Sequence, residues 1–335
     1  MPQNYRDSLK KCSLASHIQA TLVTAILPNR IIGDYSGAER GPMVLVFGGM
    51  HGNEPAGVEA LETLFHLLHI EPGHNPGFTF RGRLLALRGN RRALARGLRY
   101  LHKDINRQWR PDHLRELLHA NPHELQGEDI ELRELCILIE AEVARYQPER
   151  LYVLDLHTTT ADGGIFTISS DDPESIALGQ QLHAPVITGI LRGLSGTTLH
   201  YFTDGHFDCR TVALSFEAGQ HQDPLSPKRA IAAIINLLRA VGCVRSEDVE
   251  NKHDEILMAY SQGLPKVADL VYTHRIRQGD NFCMEPGYAN FQPVKAGELL
   301  AHDANGPIRC PFDALILMPL YQHQGEDGFF LVKPC

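Results

Sequence analysis

The sequence predicts an α/β protein with a mixed, largely parallel sheet flanked by helices, followed by a smaller β-rich C-terminal domain. Three observations carry that expectation. Short continuous apolar runs (MVLVF, LYVLDL, TVALSF) read as strands buried on both faces. Segments with helical apolar spacing alternate with these runs in the first part of the chain, as a parallel sheet requires. Beyond Cys243 the texture changes to short strand-like runs broken by Gly and Pro. The expected division is 1–245 for the α/β part and 246–335 for the β-rich part.

The elements follow in order. Met43–Phe47, between Gly41-Pro42 and Gly48-Gly49, predicts the first buried strand. Pro55 then opens a helix to His69, since proline suits a first turn whose N–H has no partner. Arg83–Leu87 predicts a second strand. Asp129–Tyr146 predicts a helix with Leu132, Leu135, Leu138 and Val143 available to its apolar stripe. Leu151–Leu156, Ile165–Ile168 and Thr211–Phe216 are further strands, and Pro227–Val241 is an apolar helix ended by Gly242. Ser246–Glu255 is polar and reads as a linker. The runs VYTHRIR, GYANFQPV, LLAHD, ALILMPLY and FFLVK make up the β-rich part.

Composition narrows the function. The 335 residues are 43% hydrophobic and 21% charged, ample for a large core. The net charge of -8 and the lack of a basic stripe argue against a nucleic-acid partner. They leave room for an anionic substrate, because a few arginines in a cleft reverse the local field. Cys12, Cys136, Cys209, Cys243, Cys283, Cys310 and Cys335 are odd in number and widely spread, with no CxxC pair. That predicts reduced thiols, and so a cytoplasmic protein, rather than a disulfide frame or a cysteine zinc site. The N-terminus (MPQNYRDSLKKCSLASH) lacks the apolar core of a signal peptide. Met43–Met50 is far too short to span a membrane, so no membrane association is expected. A strand edge in the C-terminal part leaves a homo-oligomer open.

Three strand ends carry candidate metal chemistry: His51-Gly52-Asn53-Glu54 after MVLVFGG, Asp155-Leu156-His157 ending LYVLDLH, and Glu217 after TVALSF. In open α/β sheets, sites lie beyond the carboxyl ends of the strands. Two His and one Glu form an accepted catalytic zinc set that leaves one position open. His51 and Glu54 are three residues apart on a tight turn and can reach one ion. Asp155 is placed to hold a ligand imidazole, since such rings donate their other N–H to a carboxylate or carbonyl. Each piece alone is commonplace in a chain with 18 histidines. The glycine-rich turn GGMHGNEPAG also lacks the GxGxxG order and the lysine of a phosphate loop. The combination carries the case.

FGGMHGNEPAG, NRRALARGLRYLHKDINR, DLHTTT and FEAG, in that order and spacing, resemble the aspartoacylase/succinylglutamate desuccinylase family of zinc-carboxypeptidase-like hydrolases. The resemblance spans roughly residues 40 to 240 and extends weakly into the C-terminal region. It implies one Zn2+ per chain held by His51, Glu54 and His157, with Glu217 as the general base for a metal-activated water. It implies that Arg92 polarises the scissile carbonyl and that Asn106 and Arg107 grip a substrate carboxylate, with Asp104 orienting its neighbours. The expected activity is hydrolysis of a small, acidic N-acyl amino acid. The C-terminal domain is then expected to cover the entrance.

The sequence departs from the family pattern in two places. Aspartoacylases carry a substrate-binding arginine shortly before the catalytic glutamate. Here that stretch reads Gly205-His206-Phe207-Asp208, with Arg210 the nearest arginine and Tyr201 a further candidate substrate contact. Phe329 stands near where such enzymes carry a C-terminal tyrosine. The acyl group and the amino acid therefore stay open. A zinc carboxypeptidase-like peptidase is the main alternative, and a non-catalytic binding protein the lesser one.

Overall fold

The computed structural model describes residues 30–202, 206–250 and 252–335. Cys12, the segment inspected for a signal peptide and Gly205 lie outside the described residues. The strands of the first part are β1 (Ile31–Ser36), β2 (Glu39–Gly48), β3 (Arg81–Arg88), β4 (Arg150–Thr159), β5 (Phe166–Ser169), β6 (Val186–Thr188) and β7 (Arg210–Gln220). Those of the last part are β8 (Val267–Arg275), β9 (Cys283–Met284), β10 (Pro293–Val294), β11 (Leu299–Asp303), β12 (Gly306–Arg309), β13 (Ala314–Leu317) and β14 (Asp327–Pro334). The helices are α1 (Ala56–His74), α2 (Arg91–Leu94), α3 (Pro111–His119), α4 (Glu128–Tyr146), α5 (Pro173–Gln180), α6 (Ile190–Gly193), α7 (Thr198–Tyr201), α8 (Ser226–Ala240) and α9 (Lys252–Tyr260). None of the described helices is long and apolar enough to cross a membrane.

One mixed sheet of eleven strands runs β1-β3-β2-β4-β7-β5-β6-β8-β14-β13-β10. Its heart, β3-β2-β4-β7, is parallel. Strands β1, β5, β14, β13 and β10 add antiparallel pairings. The β-rich segment extends this sheet, because β8 pairs in parallel with β6 and β14 pairs with β8. A second small sheet, β12-β11-β9, shares an apolar cluster with β10, β13 and β14 of the large sheet.

The apolar runs are continuous because each strand feeds two cores. Successive side chains of a strand point to opposite faces. Met43, Leu45 and Phe47 join one core, and Val44 and Val46 join the other. Strand β4 divides likewise, with Leu151 and Val153 on the first side and Tyr152, Leu154 and Leu156 on the second. Helix α4 covers the first face through Leu132, Leu135, Leu138 and Ile139. Helices α1 and α8 cover the second through Leu61, Leu64, Ile234 and Leu237. Each such side chain, fully buried, contributes about 1.5–3 kcal/mol.

Two segments differ from the sequence expectation. Helix α1 runs on past His69 to His74, with Pro72 inside its final stretch. The polar segment read as a linker runs into helix α9, whose first four residues it contains and which packs on α8. Only Leu257 of α9 is buried, so its apolar signal is too thin to stand out against Lys252, Asp254 and Glu255.

Candidate metal centre and active site

The turn after β2 places the first two candidate ligands. Gly49 has φ +70°, a left-handed conformation that disfavours other residues. Gly52 packs so closely on the next loop that an added Cβ would lie 2.1 Å from the carbonyl carbon of Ala93. This tight turn carries His51 and Glu54 into the start of α1. His157 and Glu217 arrive on β4 and β7 at paired positions of the parallel ladder. All four side chains are buried at the carboxyl ends of the central strands.

One ligand atom each from His51, Glu54 and His157 lies within 4.8 Å of the other two. His51 Nδ1 is 2.9 Å from Glu54 Oε1, and His157 Nδ1 is 3.0 Å from Glu54 Oε2. The far nitrogen of each ring faces a buried acid. His51 Nε2 is 3.2 Å from Asp104 Oδ1, and His157 Nε2 is 3.1 Å from Asp155 Oδ2. These acids leave Nδ1 of each ring as the atom that faces the cluster. Burial opposes ionisation of Glu54, but His51 and His157 outweigh it and hold its carboxyl well below the usual range. Two imidazoles and a preionised carboxylate fit a divalent metal.

Glu217 differs from Glu54 in its surroundings. It is only 6% exposed, and its Oε2 is buried without a hydrogen-bond partner. Burial raises its pKa to about 8; Glu54 adds to the rise, while His157 and Arg99 oppose it. Two buried glutamates in one cavity are thus pushed in opposite directions. That division suits one to hold a cation and the other to exchange a proton.

Residues 90–107 form the opposite wall, and α4 fixes them with acidic side chains. Glu128 accepts hydrogen bonds from the backbone N–H groups of Leu101 (2.6 Å), His102 (3.0 Å) and Lys103 (3.3 Å) and from Asn90 Nδ2 (3.1 Å). Glu131 is fully buried against Arg30 and Arg91. The loop so held brings Arg99, Asn106 and Arg107 to the cavity around the metal cluster. Arg99 lies 3.6 Å from Glu54 Oε1 and 3.0 Å from Asp104 Oδ2.

The comparisons decide the family. The model of the succinylglutamate desuccinylase/aspartoacylase catalytic domain matches residues 40–239. This chain belongs to that family. It is 26% identical to a succinylglutamate desuccinylase of Pseudomonas paraeruginosa over 287 residues, 80% of this chain and 76% of that protein. It is 33% identical to a succinylglutamate desuccinylase of Pseudomonas fluorescens over 96 residues, 28% of this chain and only 25% of that protein. The crystal structure of a succinylglutamate desuccinylase from Vibrio cholerae superposes with a TM-score of 0.58 at 20% identity, covering 88% of this chain and 82% of that one. The mixed α/β architecture is the fold of these relatives.

Within the family pattern, the structure brings His51, Glu54, His157, Glu217, Asn106 and Arg107 to one cavity. Arg92 is not among its lining residues. Its side chain is 47% exposed on α2 and faces Glu131 at 3.4 Å. Arg99, with 14% of its side chain exposed, occupies the cavity position expected of Arg92. The physical reason is local. Arg91 and Arg92 lie on α2 against the acids of α4, whereas Arg99 lies in the loop leading to Asp104 and Asn106. That nearness in sequence is the signal that would have selected it.

Arg210 and Tyr201 also lie away from the cavity lining. Arg210 is the first residue of β7 and pairs with Asp172 and Glu174, at the strand end opposite Glu217. Seven residues of strand separate the two, roughly 23 Å at about 3.3 Å per residue. Tyr201 is buried among Trp109, Phe202 and Phe207 and donates its hydroxyl to Glu140. Phe329 points into the small C-terminal core and stacks on His274, while its neighbour Phe330 faces the cavity. His221, four residues after Glu217, belongs to none of the sequence motifs. It lines the cavity, its Nδ1 is 2.7 Å from Thr158 Oγ1, and its Nε2 is buried without a partner.

Proposed function

We propose that this protein is a zinc-dependent deacylase that hydrolyses the amide bond of a small N-acyl amino acid. The observation that carries the reading is the juxtaposition of the His51–Glu54–His157 cluster with the buried Glu217, whose Oε2 has no hydrogen-bond partner. His51 Nδ1, Glu54 and His157 Nδ1 would hold the ion. When bound, it supplies Lewis acidity that polarises a carbonyl and lets water ionise near neutral pH. Its positive charge would also favour the ionised form of Glu217.

The chain's own residues would do the rest. Glu217 takes a proton from the attacking water and passes one to the departing amine. Arg99 sits beside Glu54 and offers a fixed positive charge to the oxygen of the acyl group, where negative charge develops. The Asn106 carbonyl is tied to the Thr198 N–H and hydroxyl, both at 2.8 Å, so its NH2 is the group it can offer a substrate. With Arg107 it would bind the carboxylate of the amino acid. Arg107 is itself oriented by Asp327 at 2.7 Å.

The loop between β13 and β14 supports a small substrate and a C-terminal part that covers the entrance. Leu320, Gln322 and Glu326 from this loop line the cavity. Gln322 accepts from Asn53 Nδ2 at 2.7 Å, and Gln324 Nε2 donates to the Tyr100 carbonyl at 3.0 Å. Both bonds latch the loop to the catalytic walls. A cytoplasmic location belongs to the same reading, supported by the free thiols of Cys136, Cys243, Cys283, Cys310 and Cys335. The test is turnover of N-acetyl, N-formyl and N-succinyl amino acids, against short peptides, by the chelated and zinc-restored protein. Hydrolysis of N-acyl amino acids that returns with zinc supports the reading. Cleavage of peptides alone would replace it with a peptidase.

A further inference from the structure

The cavity has two unlike walls. One carries the metal cluster, Glu217 and Arg99. The other is apolar and is built from Ile168, Ile190, Leu191, Leu194, Leu199 and Phe330. We propose that the amino-acid half of the substrate bears an apolar side chain. N-acyl derivatives of leucine, methionine or phenylalanine would then be taken in preference to those of aspartate or glutamate. This rests on the deacylase reading above.

The apolar wall adjoins the groups assigned to the substrate carboxylate. Leu194 and Leu199 bracket the segment 196–198, and that segment is locked to Asn106 and Arg107. Thr198 donates both its N–H and its hydroxyl to Asn106 Oδ1. Trp109 N–H donates to the Gly196 carbonyl at 3.0 Å. An added Cβ on Gly196 would lie 2.4 Å from the Arg107 carbonyl oxygen. A substrate whose carboxylate reaches Asn106 and Arg107 therefore lays its side chain along Leu194 and Leu199. Removing that surface from water is favourable only if the side chain is apolar.

Charge points the same way. A second substrate carboxylate needs a second available cation. Among the described lining residues the arginines are Arg99 and Arg107; the first is assigned to the acyl oxygen and the second to the first carboxylate, so neither is left for a second one. Glu326 lines the same cavity and would repel a further negative group. Arg210, the nearest arginine before Glu217 in the sequence, is engaged with Asp172 and Glu174 at the far end of β7.

The test uses the zinc-restored full chain. Its kcat/KM is compared across N-acetyl-leucine, -methionine and -phenylalanine and across N-acetyl-aspartate, N-acetyl-glutamate and N-succinyl-glutamate. The apolar series is expected to lead by roughly tenfold or more. Leu194→Arg, at a half-buried position, adds a cation to the wall and is expected to shrink or invert that ratio, with metal content and melting temperature confirming the fold. If that variant does not fold, product inhibition of the native protein by leucine against aspartate reads the same preference. A lead for the dicarboxylates, or tighter inhibition by aspartate, overturns the inference and leaves the deacylase reading standing. No turnover of either series removes the deacylase reading, and the inference falls with it.

Discussion

His157 on β4 and Glu217 on β7 are direct partners across two adjacent parallel strands. Residues so paired project from the same face at the strand spacing of about 4.8 Å. A candidate metal ligand and a candidate proton carrier are thereby fixed side by side by the sheet itself. Two residues back, Asp155 and Ser215 repeat the pairing, and Asp155 meets the far nitrogen of His157.

Under the proposed function this arrangement gives metal binding and proton transfer to different residues. Glu217→Gln is expected to keep its zinc and to lose turnover by about 10²–10⁴-fold. Metal analysis and kcat on the same preparation check it. Near-native turnover with full metal would take Glu217 out of the role.

Arg99 and Arg92 make a paired test of the cavity assignment. Arg99→Ala is expected to lower kcat/KM by roughly 10²–10³-fold. Arg99→Lys keeps a charge near Asp104 and separates a folding defect from a catalytic one. Arg92→Ala, at a half-exposed site away from the cavity, is expected to stay within a few-fold of native. The reverse order would restore Arg92 to the site.

Asp155 Oδ2 lies 3.1 Å from the far nitrogen of His157. Asp155→Asn should weaken zinc affinity by about 10–100-fold while the metal-saturated protein keeps most of its activity. Competition with a chelator measures the affinity. An unchanged affinity would show that the Asp155 contact does not orient the ring.

Glu128 predicts a pH effect on stability. Burial opposes its ionisation, but the Leu101 and His102 N–H groups and Asn90 outweigh it and lower its pKa from 4.5. A carboxyl lowered on folding stabilises the protein above the unfolded value, and the gain is lost as pH falls through the folded value. Glu128→Gln should therefore cost about 1–3 kcal/mol near neutral pH. The gap to the native protein should close as pH drops below about 4.5. Urea melts at several pH values would show it; a pH-independent gap would contradict the account.

Much of this was legible in the sequence because it was local. The buried strands announced themselves as continuous apolar runs, since each feeds two cores. His51, Glu54, His157 and Glu217 stood at strand ends, where an α/β sheet gathers its site. The rest depended on distant partners. Arg92 and Arg99 look alike in a run of arginines; Glu131 of α4, some 40 residues on, holds Arg92 as scaffold, and the nearness of Arg99 to Asp104 is the one local sign of which faces the cavity. Tyr201 and Arg210 lie close to Glu217 in sequence, but the length of β7 carries Arg210 to the far end. The apolar wall is assembled from β5, α6, α7 and β14, and no single stretch of sequence displays it.

The most direct test of the central claim is an anomalous difference map at the zinc edge from crystals of the zinc-loaded protein. The account predicts one strong peak about 2.0–2.2 Å from His51 Nδ1, His157 Nδ1 and a Glu54 carboxylate oxygen, with Glu217 facing the vacant side. A fully loaded protein with its peak elsewhere, or with none among these three residues, would contradict it.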